Sequence, residues 1–124
     1  MSISKQDQFV HENKTWERSL DFFKQENTLL KNRLSMVVDN KEDKELLIMA
    51  EYFLSQFILK DEFIDELKKD VNQHEKYIIE NFSNDNLINK ILKKQEKLRN
   101  EIGFFEKDFS GLRHEFNKSI AQFL

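Results

Sequence analysis

Residues 46–59 read LLIMAEYFLSQFIL, and this stretch decides the fold. Eleven of its fourteen residues are apolar when Tyr52 is counted, only Glu51, Ser55 and Gln56 are plainly polar, and neither Pro nor Gly interrupts it. A helix that is apolar around so much of its circumference has to be covered on more than one side. It is too short and too broken for a membrane span; a run of this length is more often a core helix, so no membrane insertion is expected. The rest of the chain must then supply helices that cover it.

Outward from this stretch, Ala50, Phe57, Ile64, Val71 and Ile78 recur every seven residues, with Leu46, Phe53, Lys60, Leu67 and His74 completing the seam. This spacing predicts a helix over about 42–81. Leu47, Ile48, Tyr52, Leu54, Ile58 and Leu59 fall off that seam and are the apolar surplus. Upstream, Phe9, Trp16, Phe23, Leu30 and Val37 alternate with Asn13, Leu20, Asn27 and Leu34, a 3–4 heptad pattern that predicts a helix over 5–38. Ser4, with Asp7 three residues on, is its expected cap. In the break DNKED (39–43), Asn40 tolerates a left-handed terminal position and Asp39 is the expected cap for the next helix. Downstream, Leu98, Phe105 and Leu112 alternate with Gln95, Ile102, Phe109, Phe116 and Phe123, predicting a helix over 84–123 capped by Ser83 or Asn84. Gly103 and Ser110-Gly111 are its weak points, with a kink or a close helix contact expected near the latter.

The fold class is therefore all-α. Three long helices, each on the order of 50–60 Å, form one antiparallel up-down-up bundle with coiled-coil-like packing over residues 1–124. The composition agrees: 124 residues with no Pro, two Gly and no Cys leave few corners for a β protein. Twelve Phe provide a core despite 35% charged residues. Threading puts Phe22, Phe23, Phe53, Phe57, Phe104, Phe105, Phe109 and Phe116 at one end. Trp16 reads as a core knob. Met36, Phe22 and Phe104 are the side chains that could wrap the surplus within one chain.

The other end is polar. Lys90, Lys93, Lys94, Lys97 and Arg99 form a basic strip that faces Glu62, Asp65, Glu66, Asp70 and Glu75. The strip reads first as a solvated, pair-forming face and second as a phosphate-binding surface. Glu96 and Glu101 interrupt it, no aromatic is expected to interleave with it, and the net charge is −3, all of which weigh against nucleic acid. Asn13, Asn27, His74 and Gln95 lie on the seam and read as polar residues that fix helix register. Lys60 is expected to reach solvent or to pair with Asp21.

No catalytic, cofactor-binding or metal-binding set emerges. A di-metal bundle needs Glu three residues before His on two helices, and the residues before His11, His74 and His114 are Gln8, Val71 and Gly111. There is no Cys nucleophile, no G-x-S-x-G elbow and no Gly-rich phosphate loop, and long helices packed on large side chains leave little room for a cavity. MSISKQDQF has no apolar core of a secretory signal, so a cytoplasmic protein is expected.

The Trp on the first helix with FKQENTLLKNRL (23–34) after it, then DELKKDVN (65–72) and LRHEFN (112–117), is similar to small, uncharacterised helical proteins of the Bacteroidetes type. That resemblance implies a bacterial helical protein and brings no activity, cofactor or site residue with it. The length and the helix-one Trp also resemble a spectrin-type three-helix repeat. The expected function is that of a non-enzymatic bundle acting through protein–protein contact, either as a homo-oligomer or with another helical protein. Its contact residues are Leu47, Ile48, Tyr52, Leu54, Ile58 and Leu59. Binding of an anionic partner by the basic strip and a metal or small-ligand bundle around His74 are the alternatives.

Overall fold

The computed structural model describes residues 4–39 and 42–124, and Asn40 lies outside them. Helix α1 spans Lys5–Val38, α2 Lys44–Asn81 and α3 Ile88–Ile120, with a short 3-10 turn, Ala121–Phe123, at the end. Among the described residues there is no strand. The chain is the expected three-helix bundle, with α2 running antiparallel to α1 and α3.

The helix starts follow side-chain chemistry, but not always at the expected residue. Ser4 caps α1 as expected: its hydroxyl accepts from the Asp7 amide at 3.1 Å. For α2 the cap is Asp43 rather than Asp39, because Asp43 Oδ1 accepts from the amides of Glu45 and Leu46 at 2.9 and 3.3 Å. Asp39 instead ends α1, its amide donating to Ser35 O at 3.1 Å. Neither Ser83 nor Asn84 caps α3. Asn84 is spent on a turn, its carbonyl accepting from the Leu87 amide at 2.9 Å and its Oδ1 from the Asn86 amide at 3.0 Å. The helix therefore starts at Ile88, behind Leu87, which supplies no capping side chain.

The seam positions form the core. Leu20, Leu46, Phe57, Val71, Leu98, Phe109, Phe116 and Ile120 are fully buried, and Trp16 is buried beside them. The aromatic end interlocks edge to face, with Phe116 5.3 Å from Phe53 and 5.1 Å from Phe57 and Phe23 5.6 Å from Phe105, while Phe23 and Phe109 meet at a tilt, 5.4 Å apart. Such edge-on pairs add to the area they bury. Helix α1 packs most extensively on α2, whereas α3 meets α2 less and α1 least.

The expected close contact at Ser110-Gly111 is absent. Helix α3 runs unbroken through it, and a Cβ at either Gly103 or Gly111 would meet nothing within 4 Å. Packing demands neither glycine. Lys60 also takes a different partner: it pairs with Asp108 of α3, while Asp21 pairs with Lys68. Asp21 stands level with Lys68, about two turns along α2 from Lys60, and the azimuth of Lys60 faces α3.

The accessible surface is 8435 Å². A compact monomer of 15.0 kDa exposes about 7,000 Å², so the elongated bundle leaves an unusual amount of its chain in water. Among the described residues no helix is long and apolar enough to cross a membrane.

Candidate functional sites: an outer apolar face, a polar layer and a lysine groove

The off-seam residues of α2 are not wrapped by the chain. Leu47, Ile48, Tyr52, Leu54, Ile58 and Leu59 are between 44% and 67% exposed. The side chains expected to cover them are themselves exposed: Phe22, Met36 and Phe104 by 58%, 78% and 69%. At about 100° per residue, the six residues sort into two stripes. Leu47, Leu54 and Ile58 run along the flank nearest α1. Ile48, Tyr52 and Leu59 run along the flank nearest α3, and exposed Phe63 extends them. Glu51, Ser55 and Glu62 form a polar line between the two. On the α3 side, Leu59, Phe63 and Phe104 line one shallow depression, and the Phe63 ring stacks on Phe105 at 5.7 Å.

The polar seam residues are all buried, and three of them meet. Gln95 Oε1 accepts from His74 Nε2 at 3.0 Å, which places the proton of the neutral imidazole on Nε2. The Gln95 amide nitrogen faces three oxygens of α1: Glu12 Oε1 at 2.7 Å, Asn13 Oδ1 at 3.1 Å and Phe9 O at 3.5 Å. Arg99 closes the layer with two hydrogen bonds to the Glu12 carboxylate, at 2.7 and 2.9 Å. Asn27 stands apart, in the aromatic half. Its amide donates to Phe57 O and to Asp61 Oδ1, both at 2.8 Å. A carbonyl already engaged in the α2 helix thus accepts a second bond from α1.

These surroundings set the titrations. Burial lowers His74, the Gln95 bond opposes this, and the nearby Lys94 charge lowers it further. Burial would raise Glu12, but bonds from Arg99 and Gln95 outweigh it and hold the carboxyl low. Asp61 is held low in the same way by Lys31 and Asn27. Glu17 is raised, first by burial and then by the carboxyl of Glu75 beside it.

A lowered His74 binds its proton more weakly in the fold than in the unfolded chain. Stability should therefore fall as pH drops below about 6.5. Glu12 and Asp61 add a second loss below about 4, as pH falls through their depressed values. Glu17 has the opposite sign and blunts the first loss. Urea midpoints measured from pH 8 to pH 3 check this, and in His74→Gln the first loss should disappear.

The basic strip does not pair across the bundle as expected. Glu75 and Asp65 are taken by Lys14 and Lys24 of α1, and Arg99 belongs to Glu12. What remains of the strip borders a groove of about 470 Å³ between α2 and α3, lined by Asp70, Gln73, His74, Tyr77, Lys90, Lys93, Lys94 and Lys97. Two expectations are corrected here. An aromatic does accompany the lysines, since Lys90 Nζ lies 5.6 Å from the centre of the Tyr77 ring. Room for a small ligand also exists, as an open groove between two helices and not as an enclosed cavity.

Among the described residues no group of three His, Cys, Asp or Glu side chains comes together, so the alternative of a metal bundle has no ligand set to build on. No family model, no curated protein and no solved structure matches this chain. Function has to be read from the geometry of its own surfaces.

Proposed function

We propose that this chain is a cytoplasmic, non-enzymatic helical bundle that acts through protein–protein contact, associating with a second copy of itself through the outer face of α2. The observation that carries the reading is the exposure of all six surplus residues on one helix, in two stripes either side of Glu51, Ser55 and Glu62. Exposed apolar stripes rimmed by polar residues commonly mark interaction surfaces. Phe63 and Phe104 enlarge the stripe nearest α3 with aromatic area, and aromatic residues are enriched at interfaces. Helical stripes flanked by charges are also the form in which one helix packs against another.

The double substitution Tyr52→Lys/Leu59→Lys places two charges in the stripe nearest α3. Sedimentation velocity should show the native chain as an oligomer and the variant as a monomer. The variant should keep its helicity and, at dilutions where the native chain is dissociated, a urea midpoint equivalent to within about 0.5 kcal/mol, as for other surface changes. A native chain that stays monomeric at high concentration sinks the self-association reading. A variant that unfolds shows that the stripe is core. Leu54→Lys/Ile58→Lys, on the other flank, tells which stripe carries the contact.

A further inference from the structure

Five lysines elsewhere sit beside acids: Lys14 meets Glu75, Lys24 meets Asp65, Lys31 meets Asp61, Lys60 meets Asp108 and Lys68 meets Asp21. The other described lysines outside the α2–α3 groove make no ion pair with a described residue, and what sets the strip on α3 apart is that four lysines gather along one groove. Among the described residues no carboxylate lies within ion-pair distance of Lys90, Lys93 or Lys94, and Lys97 has only a long 3.7 Å contact to Glu101 on its own helix. The spacing i, i+3, i+4, i+7 puts all four ammonium groups on one face, where like charges at these separations destabilise the helix. Lys90 also stands in the first turn of α3, which contains no acid and has no side-chain cap. Cations are unfavourable there, because the helix dipole is positive at that end. The sequence thus concentrates charge where it weakens the helix and gives three of the four lysines no ion pair among the described residues.

We propose that the α2–α3 groove is a binding site for a linear polyphosphate, either free or carried on a small molecule, held by Lys90, Lys93, Lys94 and Lys97 with Tyr77 as its wall. The four lysines span seven residues of helix, about 10 Å, which suits a di- or triphosphate. Asp70 on the opposite wall and Glu101 on α3 both lie at the Lys97 end of the positive region. An extended nucleic-acid strand leaving the groove at that end would run onto carboxylates. A short, highly charged group would neutralise the strip through charge-assisted bonds and remove the repulsion within α3.

The test is calorimetric titration of the full chain with sodium tripolyphosphate, with adenosine triphosphate and with a single-stranded oligonucleotide, each at low and at physiological salt. One tripolyphosphate should bind per chain, more weakly at higher salt. Lys93→Gln/Lys94→Gln should lose at least about tenfold in affinity, the equivalent of one charge-assisted bond. The same charge change in Lys107→Gln/Lys118→Gln should leave the affinity within about twofold, because neither residue lines the groove. Without ligand, the Lys93/Lys94 variant should melt above the native chain, since the like-charge pairs these residues make with Lys90 and Lys97, three and four residues away, are gone. Tighter binding of adenosine triphosphate with the same lysine dependence would identify a carried polyphosphate, and equal binding a site that reads the phosphates alone. The proposal is overturned by absent binding, by equal loss in the control variant, or by an oligonucleotide that binds more tightly than tripolyphosphate.

Discussion

Phe116→Ala should lower the stability of the chain by about 3–5 kcal/mol, the largest effect expected of any single truncation in this bundle. Phe116 has no accessible surface, and its ring is held edge-on between Phe53 and Phe57. Truncation removes the burial of one aromatic ring, the two ring contacts and the filling of a space that rigid neighbours cannot close. A domain of this size is stable by roughly 6–19 kcal/mol, so the change removes a large part of the total. With an m-value of about 2 kcal/mol per molar, the urea midpoint should fall by roughly 1.5–2.5 M. Phe104→Ala is the matched control. It lies on the same helix, but 69% of it is exposed, so its midpoint should move by no more than about 0.5 kcal/mol in equivalent stability. Equal losses at the two positions would mean that the aromatic end is not packed as described.

Gln95→Leu comes second. Leucine has nearly the right volume, so little cavity forms, and the loss is polar. His74 Nε2 and Asn13 Oδ1 would both be stranded in the core, and Glu12 would keep only Arg99. A buried polar group without a partner costs about 1–3 kcal/mol, which gives a total of about 2–4 kcal/mol. His74→Phe/Gln95→Leu should cost less than the sum of the two single changes, because it removes both ends of one bond. Urea denaturation of the two singles and the double completes the cycle. Strict additivity would show that the His74–Gln95 bond contributes nothing.

The two substitutions also mark what could and could not be read from the sequence. Phe116 was legible because a 3–4 repeat held over many turns puts each seam residue at a known azimuth. Asn13, Asn27, His74 and Gln95 were legible as polar interruptions of the same repeat, and three of them do meet in one layer. The caps were less so. DNKED offers two aspartates in reach of α2, and only the chain path selects Asp43. Residues 81–86 look like a cap to any local rule, yet Asn84 closes a turn instead. The partner of Lys60 was not legible because the sequence does not fix how far α1 is shifted along α2; the observed register sets Asp21 opposite Lys68, about two turns away, and leaves Asp108 beside Lys60. The groove was hidden for a related reason. Its lysines lie on α3 and Tyr77 on α2, and nothing along the chain announces that they share a wall. Phe63 was missed as part of the outer face because it stands four residues beyond the conspicuous stretch.

One asymmetry of the bundle reaches beyond any single site. Helix α3 has fewer contacts than the α1–α2 pair, and its start carries no cap. The least costly excursion of the native state is then departure of the third helix as a unit, with the segment 82–87 as its pivot. The hairpin left behind is a docking slot for one helix, and it cannot distinguish its own α3 from the α3 of another molecule. Two chains that trade third helices rebuild every native contact and create no new surface. Such a trade would survive Tyr52→Lys/Leu59→Lys. It would set in slowly, at a pace fixed by opening and not by encounter, so the time course of assembly separates exchange of parts from contact between faces.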